Sequence, residues 1–88
     1  MEQKNKPVDV ISVCSAAGEI TPLRIQIIDE DRQLMRFNIE QILRVEDIEH
    51  VGVEAKVFRC RATVWGKKWT FDLKYYIRSH NWCIQRMI

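Results

Sequence analysis

The residues able to do chemistry are gathered in one stretch, Phe58 to Arg78, "FRCRATVWGKKWTFDLKYYIR". Cations and aromatics interleave throughout it. Strand alternation would place Arg59, Arg61, Lys68, Lys74 and Arg78 on one face with Trp65 and Tyr76, and Lys67 at the tip. Single-stranded nucleic acid asks for that combination: cations hold phosphates while aromatic rings stack bases. The same side chains could equally solubilise a sheet and guard its edge, or meet a protein partner or a second copy of the chain. Arg59, Arg61, Trp65, Lys67, Lys68, Lys74, Tyr76 and Arg78 are therefore the candidate binding residues for a nucleic acid or a protein partner.

Charge distribution bears on that choice. The chain has 88 residues and a net charge of +2. Residues 1–54 hold six cations and eleven acids, a net −5; residues 55–88 hold eight cations and one acid, Asp72, a net +7. Such a split fits a basic binding face, but it also fits two halves of a sheet that attract each other. A total of +2 is modest beside dedicated nucleic-acid binders, which favours a protein partner or self-association.

Other chemistry is hard to find. There is no phosphate-binding loop, Gly-rich nucleotide fingerprint or nucleophile elbow. His50 and His80 fall in expected loops, and Cys83, close to His80, lacks the oriented base and oxyanion site that a nucleophile needs. Cys14, Cys60 and Cys83 are odd in number and far apart, which argues against a disulfide framework or zinc site and for buried, reduced thiols. The acidic run Asp29–Asp31 reads as a solvated tip and not a calcium loop. No catalytic residue, metal site or cofactor is expected. No apolar run approaches the ~18 residues of a membrane helix, and the polar start "MEQKNK" offers no signal-peptide core, so the sequence reads as cytoplasmic and not membrane-bound.

The elements that must position the basic stretch show a period of two almost throughout. "VDVISVCS" is strand-like, with Ile11 and Val13 on one face, and "AAGE" turns it. In "ITPLRIQII" Leu23, Ile25 and Ile27 face inward. "LMRFNIE" pairs with it so that Ile25 meets Phe37, Leu23 meets Ile39 and Ile27 meets Met35. Residues 41–54, "QILRVEDIEHVGVE", fit either a short capped helix or a bulged strand. We take the strand, bulged near Gln41 and running to about Glu46, then a loop through Gly52. In the basic stretch, setting Val64 against Trp69 places Ala62 opposite Phe71, Cys60 opposite Leu73 and Phe58 opposite Tyr75. Arg61 then lies across from Asp72. Gly66 suits the first position of a type II′ turn. "SHN" turns the chain into "WCIQRMI", with Trp82 and Ile84 inward.

The segments "PVDVISVCSAAGEITPLRIQIID", "FDLKYYI" and "NWCIQ", with the late Trp82, resemble a group of small bacterial all-β proteins without assigned function. The resemblance spans most of the chain. It implies an all-β fold and carries no activity and no site residues.

The sequence thus predicts a flexible segment over residues 1–7 and one domain over 8–88. That domain is an all-β antiparallel meander of about six strands, forming a small barrel or a strongly twisted half-open sheet. Its expected role is a non-enzymatic binding or protein-interaction module. The alternative is a nucleic-acid-binding small barrel that uses the basic outer face of the 58–78 hairpin.

Overall fold

The computed structural model describes residues 5–28 and 31–88. It is all-β, as the period-two pattern requires, with no helix among the described residues. Thus none there is long and apolar enough to cross a membrane. The strands are β1 (Lys6–Pro7), β2 (Asp9–Cys14), β3 (Ile20–Ile28), β4 (Leu34–Asn38), β5 (Gln41–His50), β6 (Val53–Val64), β7 (Lys67–Tyr76) and β8 (Asn81–Met87). They form two antiparallel sheets: a large one ordered β1-β8-β7-β6-β5 and a small one ordered β2-β3-β4. No closed barrel is found.

The chain crosses between the sheets twice without a long connection. At Val8, between β1 and β2, the amide donates to the Trp82 carbonyl of the large sheet (3.2 Å). At Ile39–Glu40, between β4 and β5, the Ile39 amide donates to Leu23 of the small sheet and the Glu40 amide to Arg61 of the large one, both at 2.9 Å. Each crossing keeps its backbone donors satisfied, which is what lets a strand bend from one sheet into the next. The six expected strands become eight segments, because the third bends into β4 and β5 and because Lys6–Pro7, expected in the flexible lead-in, forms β1.

The two inner faces meet in one core. Ile25 and Phe37 from the small sheet pack against Phe58, Cys60, Ala62, Phe71, Leu73, Tyr75 and Ile84 of the large one. Phe37 meets Phe71 edge-on at 6.1 Å, and Trp82 stacks against Tyr75 at 4.5 Å and Phe58 at 5.8 Å. Burying each such side chain contributes roughly 1.5–3 kcal/mol, and the paired rings add up to about 1.5 kcal/mol more.

Several local expectations change. Ile25 does pair with Phe37 and Ile27 with Met35. The β6–β7 register, however, is two residues from the expected one. Val64 faces Lys67, Ala62 faces Trp69, Cys60 faces Phe71 and Phe58 faces Leu73, so Asp72 lies opposite Arg59 and not Arg61. A shift of two preserves every face, which is why the core residues are still the inward ones. The turn is Trp65–Gly66, and both residues have positive φ (+50° and +76°), the pattern of a type I′ turn and not II′. Residues 41–50 form one strand bulged at Leu43, and the loop expected to follow is a tight Val51–Gly52 turn. Ile11 and Val13 share a face, but it is the solvent face; Val8 and Val10 pack on the core instead. Lys6 and Pro7, expected to be part of a flexible lead-in, pair with Ile84 and Cys83 of β8. Of the acidic Asp29–Arg32 tip, Asp31 and Arg32 are exposed and the rest lies outside the described residues.

Candidate functional site

The basic outer face of the large sheet is built by the alternation that buries the core. Across β5, β6, β7 and β8 one row runs Arg44, Arg59, Asp72, Arg86. Asp72 is only 3% exposed, yet it is fully partnered. Arg59 donates to both its oxygens, Nε at 2.9 Å and Nη2 at 3.2 Å, and Arg86 Nε donates at 3.0 Å. Burial alone would push the Asp72 carboxyl up; the hydrogen bonds and charges of Arg59 and Arg86 outweigh it and hold it below its ordinary value. The face is also less free of acids than the hairpin suggested, because the acidic half of the chain supplies its neighbouring strand. Glu46 pairs with Arg44 at 3.4 Å, and Glu40 accepts from the Thr63 hydroxyl at 3.0 Å. A shallow hollow of about 200 Å³ lies over Asp72, and its arginines already answer acids of this chain.

The eight candidate residues are not brought together. Arg59, Arg61, Lys68, Lys74 and Tyr76 lie on the outer face, with Arg59 committed to Asp72 and the Lys74 ammonium seated 4.9 Å from the Tyr76 ring. Arg78 is exposed in the turn after β7. Trp65 and Lys67 belong to the turn before β7, at the opposite end of a ten-residue strand. At 3.2–3.4 Å per residue that separates the two candidate stacking rings, Trp65 and Tyr76, by about 30 Å. They form no shared platform.

Trp65 and Lys67 instead belong to a different feature. Strands β6 and β7 run twelve and ten residues, whereas β4 runs five. The small sheet therefore covers only part of the large sheet's inner face. At the uncovered end the sheets part into a cleft of about 560 Å³. Ile27, Met35 and Phe37 form one wall, and Val64, Trp69, Phe71, Ile84 and Met87 the other. Trp65 stands on the lip, 83% exposed. Trp69, expected in the core, is 41% exposed and lines the cleft. Lys6 and Lys67 complete the lining, which contains no acid among the described residues. Neither ammonium has an ion-pair or hydrogen-bond partner among the described residues.

The lip has an energetic signature. A type I′ turn wants Asn-Gly or Asp-Gly, because both central residues need positive φ. Here the first position is Trp65 at φ +50°. A left-handed backbone at a non-glycine residue costs about 1–2 kcal/mol. Trp65 offsets little of that by burial, since most of its ring surface faces water. Val51, also exposed at φ +53°, repeats the pattern at the β5–β6 turn but is not part of this cleft.

The thiols separate likewise. Burial pushes Cys60 up to about 12 and raises Cys83, making both poor nucleophiles. Cys14, expected buried, is exposed on β2. No cluster of three or more His, Cys, Asp or Glu able to hold a metal occurs among the described residues. Tyr75 and His80 share a 2.8 Å hydrogen bond that braces the turn before β8.

Sequence reasoning missed the cleft, along with Trp69, Met35, Met87 and Lys6 as its lining. One signal was available: Trp65 in a position where turn chemistry prefers Asn. Comparisons with protein-family models, with curated proteins and with solved structures find no match to this chain.

Proposed function

We propose that this protein is a non-enzymatic binding module, and that its seat is the apolar cleft at the open end of the two sheets, in effect the mouth of a half-open barrel. The observation that carries the reading is Trp65: a large apolar ring held in a left-handed turn, nearly fully exposed, on the lip of that cleft. Local conflicts of this kind, where neither folding nor solubility gains, concentrate at functional positions. The cleft's volume falls in the ~300–1,000 Å³ range of ligand sites, and its walls are apolar with few polar groups, as such sites are. Met35 and Met87 add side chains that adapt to what enters. What enters is an apolar group, borne by a ligand or by a protein partner.

The outer basic face is the weaker seat. Its buried acid and its most central arginines satisfy each other, and Trp65 and Tyr76 lie too far apart to stack neighbouring bases.

The test is an amide and indole NMR titration with an uncharged apolar probe, 1-octanol. Shifts confined to the Trp65 and Trp69 indoles, the Met35 and Met87 methyls and their neighbours are the expected result. Shifts spread evenly over the surface, or none below the solubility limit, would overturn the reading. A salt titration of single-stranded DNA on the same sample covers the nucleic-acid alternative, which requires binding that strengthens as salt falls.

A further inference from the structure

We propose that the ligand of the cleft is a small amphipathic anion: one apolar chain or ring carrying a single carboxylate, with the carboxylate at Lys6 and Lys67. The inference rests on the cleft being the binding seat and adds the chemical class of what it takes.

Four features of the cleft carry it. The walls are apolar, so the body of the ligand must be apolar. A nucleobase or sugar would bring polar edges that the walls have no groups to satisfy, and burying them unpaired is unfavourable. Among the described residues the only charged groups lining the cleft are two ammoniums, from separate elements: Lys6 on β1 and Lys67 at the start of β7. Neither has a carboxylate partner among the described residues, whereas Lys56 pairs with Asp47 at 2.9 Å, and Arg44, Arg59 and Arg86 all have acids. Two unpaired cations beside an apolar wall hold a standing attraction for an anion that carries its own apolar body. The size agrees as well. At about 560 Å³ the cleft suits a small molecule, while a protein interface would need on the order of 1,000 Å² of contact.

β1 is what brings Lys6 to the site. The Lys6–Ile84 pairing and the bond from the Asn5 amide to the Gln85 carbonyl (3.3 Å) fix it against β8. Lys6 occupies the inner phase of that pair, since Ile84 is a core residue.

The experiment compares three eight-carbon probes of one shape, octanoate, 1-octanol and octylammonium, by NMR titration of the full chain at pH 7. Octanoate is expected to bind about tenfold more tightly than octanol, and octylammonium more weakly than octanol. Lys67→Met is expected to remove most of the advantage of octanoate over octanol, read as the ratio of the two affinities within the same variant, and Lys6→Met to act in the same direction. Equal binding of octanoate and octanol, or preference for octylammonium, overturns the anion assignment while leaving the cleft as the seat. Failure of all three probes to bind overturns both. Folding of the variants is checked by unchanged amide dispersion away from the cleft; were Lys6→Met to unfold β1, the Lys67→Met arm and the wild-type probe series still decide the matter.

Discussion

Asp72→Asn replaces the one carboxylate buried among the described residues by an amide of the same shape. Three charge-assisted hydrogen bonds meet at Asp72, two from Arg59 and one from Arg86. Hydrogen bonds to a charged group contribute roughly 1 kcal/mol more each than neutral ones. The amide must also turn its own NH2 toward a guanidinium, donor against donor. Three bonds suggest a loss of about 3 kcal/mol; because Arg86 is 56% exposed and water can replace part of its bond, about 2–3 kcal/mol is the expected cost at pH 7. The pH dependence is the sharper part. The folded carboxyl lies below its ordinary value. A carboxyl depressed on folding contributes its stability fully above its unfolded value, about 3.9, and loses it as pH falls through the folded one. The gap between wild type and variant should therefore be constant from neutral pH to about 4 and narrow below that, as the wild-type carboxyl takes up a proton and comes to resemble the amide. Urea denaturation followed by tryptophan fluorescence at pH 7, 4 and 3 measures it, and the acids common to both proteins cancel in the difference. A gap under about 0.5 kcal/mol at pH 7, or one that does not change with pH, would refute the reasoning.

Four further outcomes follow from the same structure. Phe71→Ala removes the ring that joins the sheets through Phe37 and should cost about 3–5 kcal/mol in urea denaturation; a near-neutral result would mean the inter-sheet core is misassigned. A thiol reagent applied to native protein should label Cys14 promptly and Cys60 only on unfolding, with Cys83 slow, so the early count is one thiol; prompt labelling of all three would contradict the packing. Trp65→Asn should leave stability within about 1 kcal/mol, relief of the left-handed backbone balancing the little surface Trp65 buries, while octanoate binding falls. Val51→Asn, the same change at the other turn, should stabilise without touching binding. A loss of 3 kcal/mol or more in Trp65→Asn by thermal melting would make Trp65 a structural residue.

Much of the fold was legible because strand period survives most local errors. The Ile25–Phe37 and Ile27–Met35 pairs follow from hydrophobic matching alone, since only one register aligns apolar residues on a single face. The β6–β7 hairpin did not yield its register in the same way: shifts of two residues give equally apolar pairings, and the Trp-Gly turn lacks the Asn that would have marked a two-residue loop. The strand through residues 41–50 was half-seen, because the Leu43 bulge breaks its alternation and the acids beyond it resemble a loop. The cleft proposed as the binding seat was not legible at all. It arises where a five-residue strand fails to cover strands twice as long, a property of how the sheets overlap. Trp69 has the inward phase of a core residue and becomes a wall only because nothing lies across from it. Lys6 reads as leading polar sequence until its pairing with Ile84 brings it to the site.

That pairing also sets a timetable during synthesis. Residues 6 and 84 are neighbours in the sheet and 78 positions apart in the chain. At translation rates of roughly 5–20 residues per second, β1 waits on the order of 4–16 s for the strand it will join. The hairpins from β5 to β8 can form as each is made, since every partner is the next strand along. β1 cannot, and Lys6 travels with it. A ribosome-bound chain can therefore hold β5, β6 and β7 paired with one ammonium of the cleft still missing, and the cleft gains its second positive charge only after β8 has emerged.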